Sequence, residues 1–300
     1  MDRYFSLLTM LALTFAIAIT GLAPARAQNL LAAAERAPDL RFPTETSQHF
    51  KPPRMALFKP TGPGPFPALL LFHQCGGLGG ERWQNQSMMD WAVKAVNRGY
   101  VALVIDALGP RDVVSVCFGP QKDVTFARGV RDALQGAAYL RRLPYVDGER
   151  VAMAGYSWGA MVALLASSYG WGETLKDGGR FTAAAAFYPG CLTIRPSSSA
   201  NYEIMRHDID RPLLVLMGGE DTETPAVECL DRLNLLKASR APVDWHLYPE
   251  ATHCWDCSSL DGHSKVDARG NRVFYRYDPV ITRDSEERLF GFLQKQMPGR

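Results

Sequence analysis

Residues 151–165 read VAMAGYSWGAMVALL, a short apolar run that turns through G-x-S-x-G into a second apolar run. The first run has the length of a buried strand, and the second begins a helical pattern. Ser157 stands at the centre of the turn, with Gly155 and Gly159 two positions away on either side. A serine in this strand–turn–helix context is strained and exposes its hydroxyl at a helix N-terminus. The stretch therefore predicts a nucleophilic serine, and a structural glycine–serine turn is the alternative.

Further apolar runs on both sides of this stretch predict a parallel sheet. Strands buried on both faces are dense in apolar residues, and we predict them at residues 67–72, 100–105, 151–155, 183–187, 213–217 and 243–248. Helical spacing of apolar residues predicts helices at residues 83–97, 124–143, 159–168, 226–238 and 284–297. The proline-rich residues 28–65 are predicted to be an extended lead-in with an edge strand at 55–58. This alternation predicts a single α/β domain with helices on both faces of a mostly parallel sheet.

Residues 1–27 have the pattern of a secretory signal peptide. Arg3 precedes an apolar run over residues 7–19, and small residues at 25 and 27 favour cleavage that leaves residues 28–300 as one mature domain. A transmembrane anchor is the alternative, but the apolar run is shorter than the about 20 residues needed to cross a bilayer. We therefore expect a secreted or periplasmic protein without a membrane anchor after cleavage.

Charge and composition exclude several kinds of partner. The 300 residues include 33 basic and 31 acidic ones, and no run of like charge stands out. Neither a nucleic-acid face nor a polybasic membrane patch is indicated by this balance. With 47% hydrophobic and 21% charged residues, the chain has the composition of an ordinary globular domain.

An even number of cysteines in an exported chain predicts disulfides that act as local staples. Six cysteines allow 15 pairings, and the sequence does not choose among them. Cys254, Asp256 and Cys257, with His263 downstream, also suggest a metal site, but structural zinc needs four ligands at recognisable spacing. We therefore expect a disulfide and no metal in this segment. The six positions are Cys75, Cys117, Cys191, Cys229, Cys254 and Cys257.

A nucleophilic serine requires a base, and the base requires an orienting acid. After a serine turn of this kind, the acid and then the histidine come from loops that follow later strands. The loop after the fifth predicted strand contains Asp221 as the best-placed acid, with Glu220 and Glu223 as competitors. The loop after the last predicted strand contains His253, for which an exposed loop histidine is the alternative. The candidate catalytic residues are therefore Ser157, Asp221 and His253.

Two backbone N–H groups are needed to bind the oxygen of a tetrahedral intermediate. Trp158 directly follows the serine and is predicted to supply one of them. Cys75 is predicted to supply the other, because it lies in a glycine-rich loop at residues 73–80 where backbone can approach a ligand closely. A plain glycine turn is the alternative for this loop.

Three residues near the predicted mouth of the site are candidates for substrate contact. Arg111 could bind a substrate carboxylate with two hydrogen bonds, but a loop-stabilising ion pair is favoured over this, because buried arginines usually have a structural partner. Phe118 and Tyr188 are predicted to line an apolar acyl pocket.

Several short stretches after Arg54 form a recognisable set. They are GPFP at 64–67, HQCGG at 73–77, DALGPR at 106–111, GYSWG at 155–159, FYPG at 187–190 and YP at 248–249, with His253. In these stretches the chain resembles the dienelactone hydrolase family, which has the α/β-hydrolase fold, and the resemblance implies hydrolysis of an ester or lactone without a cofactor. Dienelactone hydrolases in the strict sense have a cysteine where this chain has Ser157, which favours a more general esterase.

The leading interpretation is an exported serine hydrolase that cleaves small-molecule carboxylic esters or lactones through an acyl-enzyme. The alternatives are a peptidase of the prolyl-oligopeptidase type, for which no propeller domain is present, and an acyltransferase with an alcohol as acceptor. A binding protein that keeps the fold without catalysis is disfavoured, because the candidate residues occur complete and in the expected order.

Overall fold

A computed structural model describes residues 25–50, 54–80, 83–196 and 200–299. The strands of its central sheet are β1 (Ala56–Phe58), β2 (Phe66–Phe72), β3 (Val101–Ile105), β4 (Val146–Tyr156), β5 (Ala183–Phe187), β6 (Leu213–Gly218) and β7 (Val243–Tyr248). They lie in the order β1-β3-β2-β4-β5-β6-β7, and every neighbouring pair is parallel except β1 and β3. The mostly parallel sheet predicted from the sequence is confirmed.

Helices cover both faces of the sheet, as predicted. Side chains alternate along β2, so that Leu69 and Leu71 join one core and Leu70 and Phe72 join the other. The helices are α1 (Ala25–Glu35), α2 (Gln86–Asn97), α3 (Phe126–Arg141), α4 (Trp158–Ala166), α5 (Tyr169–Leu175), α6 (Val227–Ala238) and α7 (Pro279–Gln296). Helices α2 and α7 pack on the first core, and the remaining helices pack on the second.

Two of these helices were not predicted. Helix α1 occupies the start of the lead-in that the proline content suggested was extended, and its sequence ARAQNLLAAAE is rich in strong helix formers. The seven-residue helix α5 is too short to show a clear period. Helix α7 begins five residues before its predicted start, because Asp278 accepts the backbone N–H groups of Val280 and Ile281 and Pro279 occupies the first helical position.

Most of the predicted signal peptide, residues 1–24, lies outside the described residues. Helix α1 spans the expected cleavage point between Ala27 and Gln28. Within the described ranges, no helix combines the length and apolarity that crossing a bilayer requires.

A buried cluster of charged side chains attaches the lead-in to the domain. Asp132 on α3 is fully buried and accepts hydrogen bonds from Arg111 at 2.7 and 2.8 Å, while Arg128 pairs with it at 2.7 Å. Arg128 also donates to the carbonyl oxygens of Ala34 and Ala37 at 2.8 and 3.2 Å. Asp132 therefore pairs with two guanidinium groups, and one of them, Arg128, also pairs with Asp39 of the lead-in at 2.8 Å.

We expect Asp132→Asn to lower the free energy of unfolding by about 3–5 kcal/mol, because it leaves buried positive charge without its counter-charge. Urea denaturation of the variant and the wild type measures the difference. Asp112→Asn is the matched control, since Asp112 forms an exposed pair with Lys122 at 3.8 Å and should cost at most about 1 kcal/mol. Equal, small losses in both variants would contradict the stabilising role of the cluster.

Candidate active site

The turn between β4 and α4 holds Ser157 in a strained conformation, with φ 52° and ψ −110°. A Cβ atom on Gly155 would overlap the carbonyl oxygen of Gly159, and one on Gly159 would overlap the carbonyl oxygens of Phe72 and His73. The backbone N–H of Gly159 donates to the His73 oxygen at 3.1 Å. Both glycines are therefore required by the close approach of strand and helix, and the strain at Ser157 is a consequence of that approach.

The structure brings Ser157, His253 and Asp221 together in one hydrogen-bonded chain. His253 Nε2 lies 3.0 Å from Ser157 Oγ, and His253 Nδ1 lies 2.7 Å from Asp221 Oδ2. Their loops follow β4, β7 and β6, whose carboxyl ends lie along the same edge of the sheet. All three side chains are buried, with at most 4% of each residue exposed. The arrangement has the geometry of a serine nucleophile, a base and an orienting acid.

The other two acids of the loop occupy different positions. Glu220 is exposed and pairs with Arg276 at 3.1 Å. Glu223 lies on the opposite side of the imidazole from Asp221, with Oε2 at 3.7 Å from His253 Nε2. Among these three acids, only Asp221 is within hydrogen-bonding distance of Nδ1.

Thr224 is a site residue that the sequence analysis missed. Its hydroxyl donates to Asp221 Oδ2 at 2.8 Å and lies 3.1 Å from His253 Nδ1. Asp221 Oδ1 accepts the backbone N–H groups of Glu223 and Thr224 at 2.9 and 2.8 Å. The signal for this arrangement is an aspartate at the head of a loop, whose side chain commonly binds N–H groups two or three residues later. These bonds fix the carboxylate that faces the histidine.

Opposing influences act on the charge of His253. Burial by itself lowers the pKa of His253, but the carboxylates of Asp221 and Glu223 outweigh burial and raise that pKa above its ordinary value. The imidazole therefore gains a proton more readily than an isolated histidine in the same buried position.

The predicted oxyanion residues lie on two neighbouring segments, the start of a helix and a loop. Trp158 is the first residue of α4, and Cys75 follows β2 in the loop whose His73 oxygen binds Gly159. The N–H of Ser157 itself is used, because it donates to the oxygen of Phe187 at 2.9 Å. Within the described part of the chain, neither Cys75 nor Trp158 donates its backbone N–H to another backbone group. The oxyanion hole at these two residues stays a prediction.

His73 joins two of the loops at this edge. Its side chain is fully buried, with Nδ1 2.7 Å from the oxygen of Gln74 and Nε2 accepting the N–H of Ala107 at 3.0 Å. Burial lowers the pKa of His73, in keeping with a neutral ring that donates through Nδ1. The ring also stacks on Trp158, with centroids 6.0 Å apart.

Arg111 forms the structural ion pair favoured over substrate binding, with Asp132 as its partner, so the prediction that it binds substrate is wrong. Its side chain is 2% exposed, and all of its N–H groups are directed at protein acceptors. Nε and one terminal nitrogen donate to the oxygen of Pro38, and the remaining bonds go to the oxygen of Ala107 and to Asp132. A guanidinium group with five N–H donors has none left here for a carboxylate ligand.

The two predicted aromatic contacts occupy different environments. Tyr188 is 1% exposed and lies against His253, with ring centroids 4.8 Å apart, so it supports the base and does not line an open acyl pocket. Its hydroxyl donates to Asp256 Oδ1 at 2.8 Å and accepts from Gln74 at 3.2 Å. Phe118 is 73% exposed beside the disulfide of Cys117, and its contact with substrate stays a prediction.

The six cysteines form three disulfides, Cys75–Cys117, Cys191–Cys229 and Cys254–Cys257. The sulfurs of Cys254 and Cys257 lie close to Asp256, but they are bonded to each other and are not free thiolates. The two oxygens of Asp256 accept from Trp91 at 2.7 Å and from Tyr188 at 2.8 Å. His263 stacks on Tyr275. These residues therefore do not fit a metal site.

Comparisons with known proteins place this geometry in a family. A provisionally named carboxymethylenebutenolidase of Salmonella typhimurium is 25% identical over 124 residues, which cover 41% of this chain and 43% of that protein. The chain thus matches less than half the length of this curated relative.

Two solved structures share the fold. A provisionally assigned dienelactone hydrolase from Klebsiella pneumoniae has a TM-score of 0.60 and 19% identity, covering 80% of this chain and 93% of its own. The butyrate-bound esterase Est2 of Thermogutta terrifontis has a TM-score of 0.59 and 16% identity, covering 82% and 91%. Both confirm the α/β-hydrolase fold. Residues 54–296 match the dienelactone hydrolase family, and the chain therefore belongs to that family.

Proposed function

We propose that this protein is an exported serine hydrolase that cleaves small carboxylic esters or lactones through an acyl-enzyme. The observation that carries the proposal is the continuous hydrogen-bonded chain from Asp221 through His253 to Ser157, at a strained turn. Family membership and the esterase among the structural neighbours support the same reaction class.

In the first step, His253 Nε2 takes the proton of Ser157 as Oγ attacks the ester carbonyl carbon. The 3.0 Å separation of these atoms allows direct transfer. Asp221 holds the imidazole in the tautomer that leaves Nε2 free to accept, and it stabilises the positive charge that forms. Thr224 keeps this carboxylate in place through its 2.8 Å hydrogen bond to Oδ2.

As Ser157 attacks, the carbonyl oxygen of the ester becomes negatively charged in the tetrahedral intermediate. Backbone N–H groups of Cys75 and Trp158 are proposed to bind it, and the N-terminus of α4 adds a favourable dipole. His253 then returns its proton to the alkoxide oxygen of the leaving alcohol, which leaves the acyl group esterified to Ser157. Water then attacks this ester while His253 takes a proton from it, and His253 passes that proton to Ser157 Oγ as the bond to the acyl group breaks and the carboxylic acid leaves.

Export is proposed from the N-terminal residue pattern. Three disulfides in one chain support an oxidising compartment, since cytosolic proteins seldom keep structural disulfides. We therefore propose a hydrolase that needs no cofactor and that is secreted or periplasmic.

Ser157→Ala is expected to abolish labelling by a fluorophosphonate probe and to lower kcat by about 10⁴-fold or more, because members of the triad act as a unit. Labelling followed by peptide mass spectrometry identifies the modified residue. Ser167→Ala is the matched control, because Ser167 follows the same helix, is buried, and has a hydroxyl that donates to the oxygen of Ala163 at 2.8 Å. A panel of esters, lactones and peptides then separates esterase from peptidase activity, and near-normal ester turnover by Ser157→Ala would exclude the nucleophile.

Asp221→Asn is expected to lower kcat by about 10⁴-fold, because an amide favours the wrong tautomer of His253. Glu220→Gln is the control in the same loop, and its exposed pair with Arg276 predicts little effect on turnover. Both variants are measured on one ester at one pH. If Glu220→Gln inactivates the enzyme and Asp221→Asn does not, the acid is assigned wrongly.

The N-terminus of the protein exported by its host is expected to be Gln28 or its cyclised form. Intact-mass and N-terminal peptide measurements on protein from the cell envelope test this. An envelope-bound product that retains Met1 would show that the segment is an anchor.

A further inference from the structure

Two groups face His253 Nε2. One is the hydroxyl of its hydrogen-bonding partner Ser157, and the other is the carboxylate of Glu223. Glu223 Oε2 lies 3.7 Å from this nitrogen, and the Glu223 side chain is 13% exposed. Asp221 approaches Nδ1 from the other side at 2.7 Å. The imidazole therefore lies between two carboxylates, one at each nitrogen.

A hairpin from outside the central sheet holds Glu223 in place. Its strands are Ser264–Val266 and Arg272–Phe274. Lys265 donates to Glu223 Oε1 at 2.8 Å, and Tyr275 donates to Oε2 at 2.8 Å. Because each oxygen already accepts a hydrogen bond, Glu223 is held at a fixed distance from the histidine.

We propose that Glu223 is a second carboxylate partner of His253, a positioning residue whose charge stabilises the imidazolium that forms when Ser157 gives up its proton, and that Lys265 sets the strength of this effect. The inference rests on the proposed function, because it concerns the base of that reaction. It assigns Glu223 no proton transfer of its own.

The distances explain why Glu223 acts through its charge. Ser157 holds the closer position at 3.0 Å and keeps its line of proton transfer to Nε2. Glu223 at 3.7 Å is beyond hydrogen-bonding distance but close enough for a strong Coulomb interaction in a buried site. The neighbouring ammonium of Lys265 offsets part of that interaction. Glu223 and Lys265 therefore shift the pKa of His253 without exchanging a proton with it.

Several charged groups among the described residues face His253 and enter this balance. Asp221 and Glu223 in the acid loop favour the protonated imidazole, and Lys265 on the hairpin opposes it. The pKa of Glu223 is lowered, because His253 and Lys265 outweigh the effect of burial, so its carboxylate is charged. The other neighbours are the buried Asp256, and the hydroxyl groups of Ser157, Tyr188, Thr224 and Tyr275.

The sign of each effect follows from which form of His253 is active. The neutral imidazole is the base, so kcat/KM rises with pH through its pKa. Glu223 raises that pKa and places the rise at higher pH, whereas Lys265 lowers it. Removing each charge should therefore move the acidic limb of the profile in opposite directions.

The test is the pH profile of kcat/KM for an uncharged ester with wild type, Glu223→Gln and Lys265→Met. We expect the acidic limb to move by about one pH unit to lower pH in Glu223→Gln and toward higher pH in Lys265→Met. Glu223→Asp retains the charge and should leave the limb nearer its wild-type position than Glu223→Gln does. Glu220→Gln, with its exposed carboxylate, should leave the limb in place.

Thermal melting of each variant separates this role from a structural one. A lower melting temperature in Glu223→Gln with an unmoved limb would overturn the proposal, as would shifts of both variants in the same direction. If Glu223→Gln does not fold, Lys265→Met decides alone, and an unmoved limb in that variant overturns the proposal. Fluorophosphonate labelling of Ser157 in the wild type is scored separately, so failure of the proposed function is distinguished from failure of this inference.

Discussion

Helix α4 approaches the end of β2 so closely that a hydrogen bond between the backbone of Gly159 and His73 leaves no room for a side chain at the glycine. This single approach sets the turn at Ser157, because the chain must leave β4 and enter the helix within a few residues. It also brings the loop after β2 beside the first turn of α4. The strained serine and the two loops around it are thus consequences of one backbone contact.

The interior next to the site is polar, in contrast to the apolar faces of the sheet. A hydrogen-bonded network lies next to the loop that contains His253, and its members are Gln74, Tyr188, Asp256 and Trp91. Burial raises the pKa of Asp256, although Trp91 and Tyr188 donate to its carboxyl group. Such a network is favourable only when its members are satisfied, and it then holds one arrangement of side chains. His253 packs against Tyr188 of this network and also faces the charged carboxylate of Glu223.

Local signals in the sequence were sufficient for the sheet and for the three residues of the hydrogen-bonded chain. Apolar runs predicted the strands, and loops after successive strands meet at one edge, which is why chain order located Asp221 and His253. The partners of Arg111 could not be predicted in this way, since Asp132 lies 21 residues away on a helix. The surroundings of Glu223 could not be predicted either, because its partners Lys265 and Tyr275 are 42 and 52 residues distant. Side-chain pairing between distant segments leaves no periodic mark in a sequence.

The three disulfides each begin in a loop that follows a strand of the central sheet, after β2, β5 and β7. Two of them close loops of 42 and 38 residues. On a chain-entropy argument, each lowers the conformational entropy of the unfolded chain and so stabilises the folded protein by about 4 kcal/mol. Sheet and helices are held by apolar burial, whereas the loops after β2 and β7, which contain the oxyanion candidate Cys75 and the base His253, are also cross-linked covalently. Loss of the sulfur–sulfur bonds would therefore act first on these loops, whereas loss of apolar burial would act on the sheet and helices that carry them.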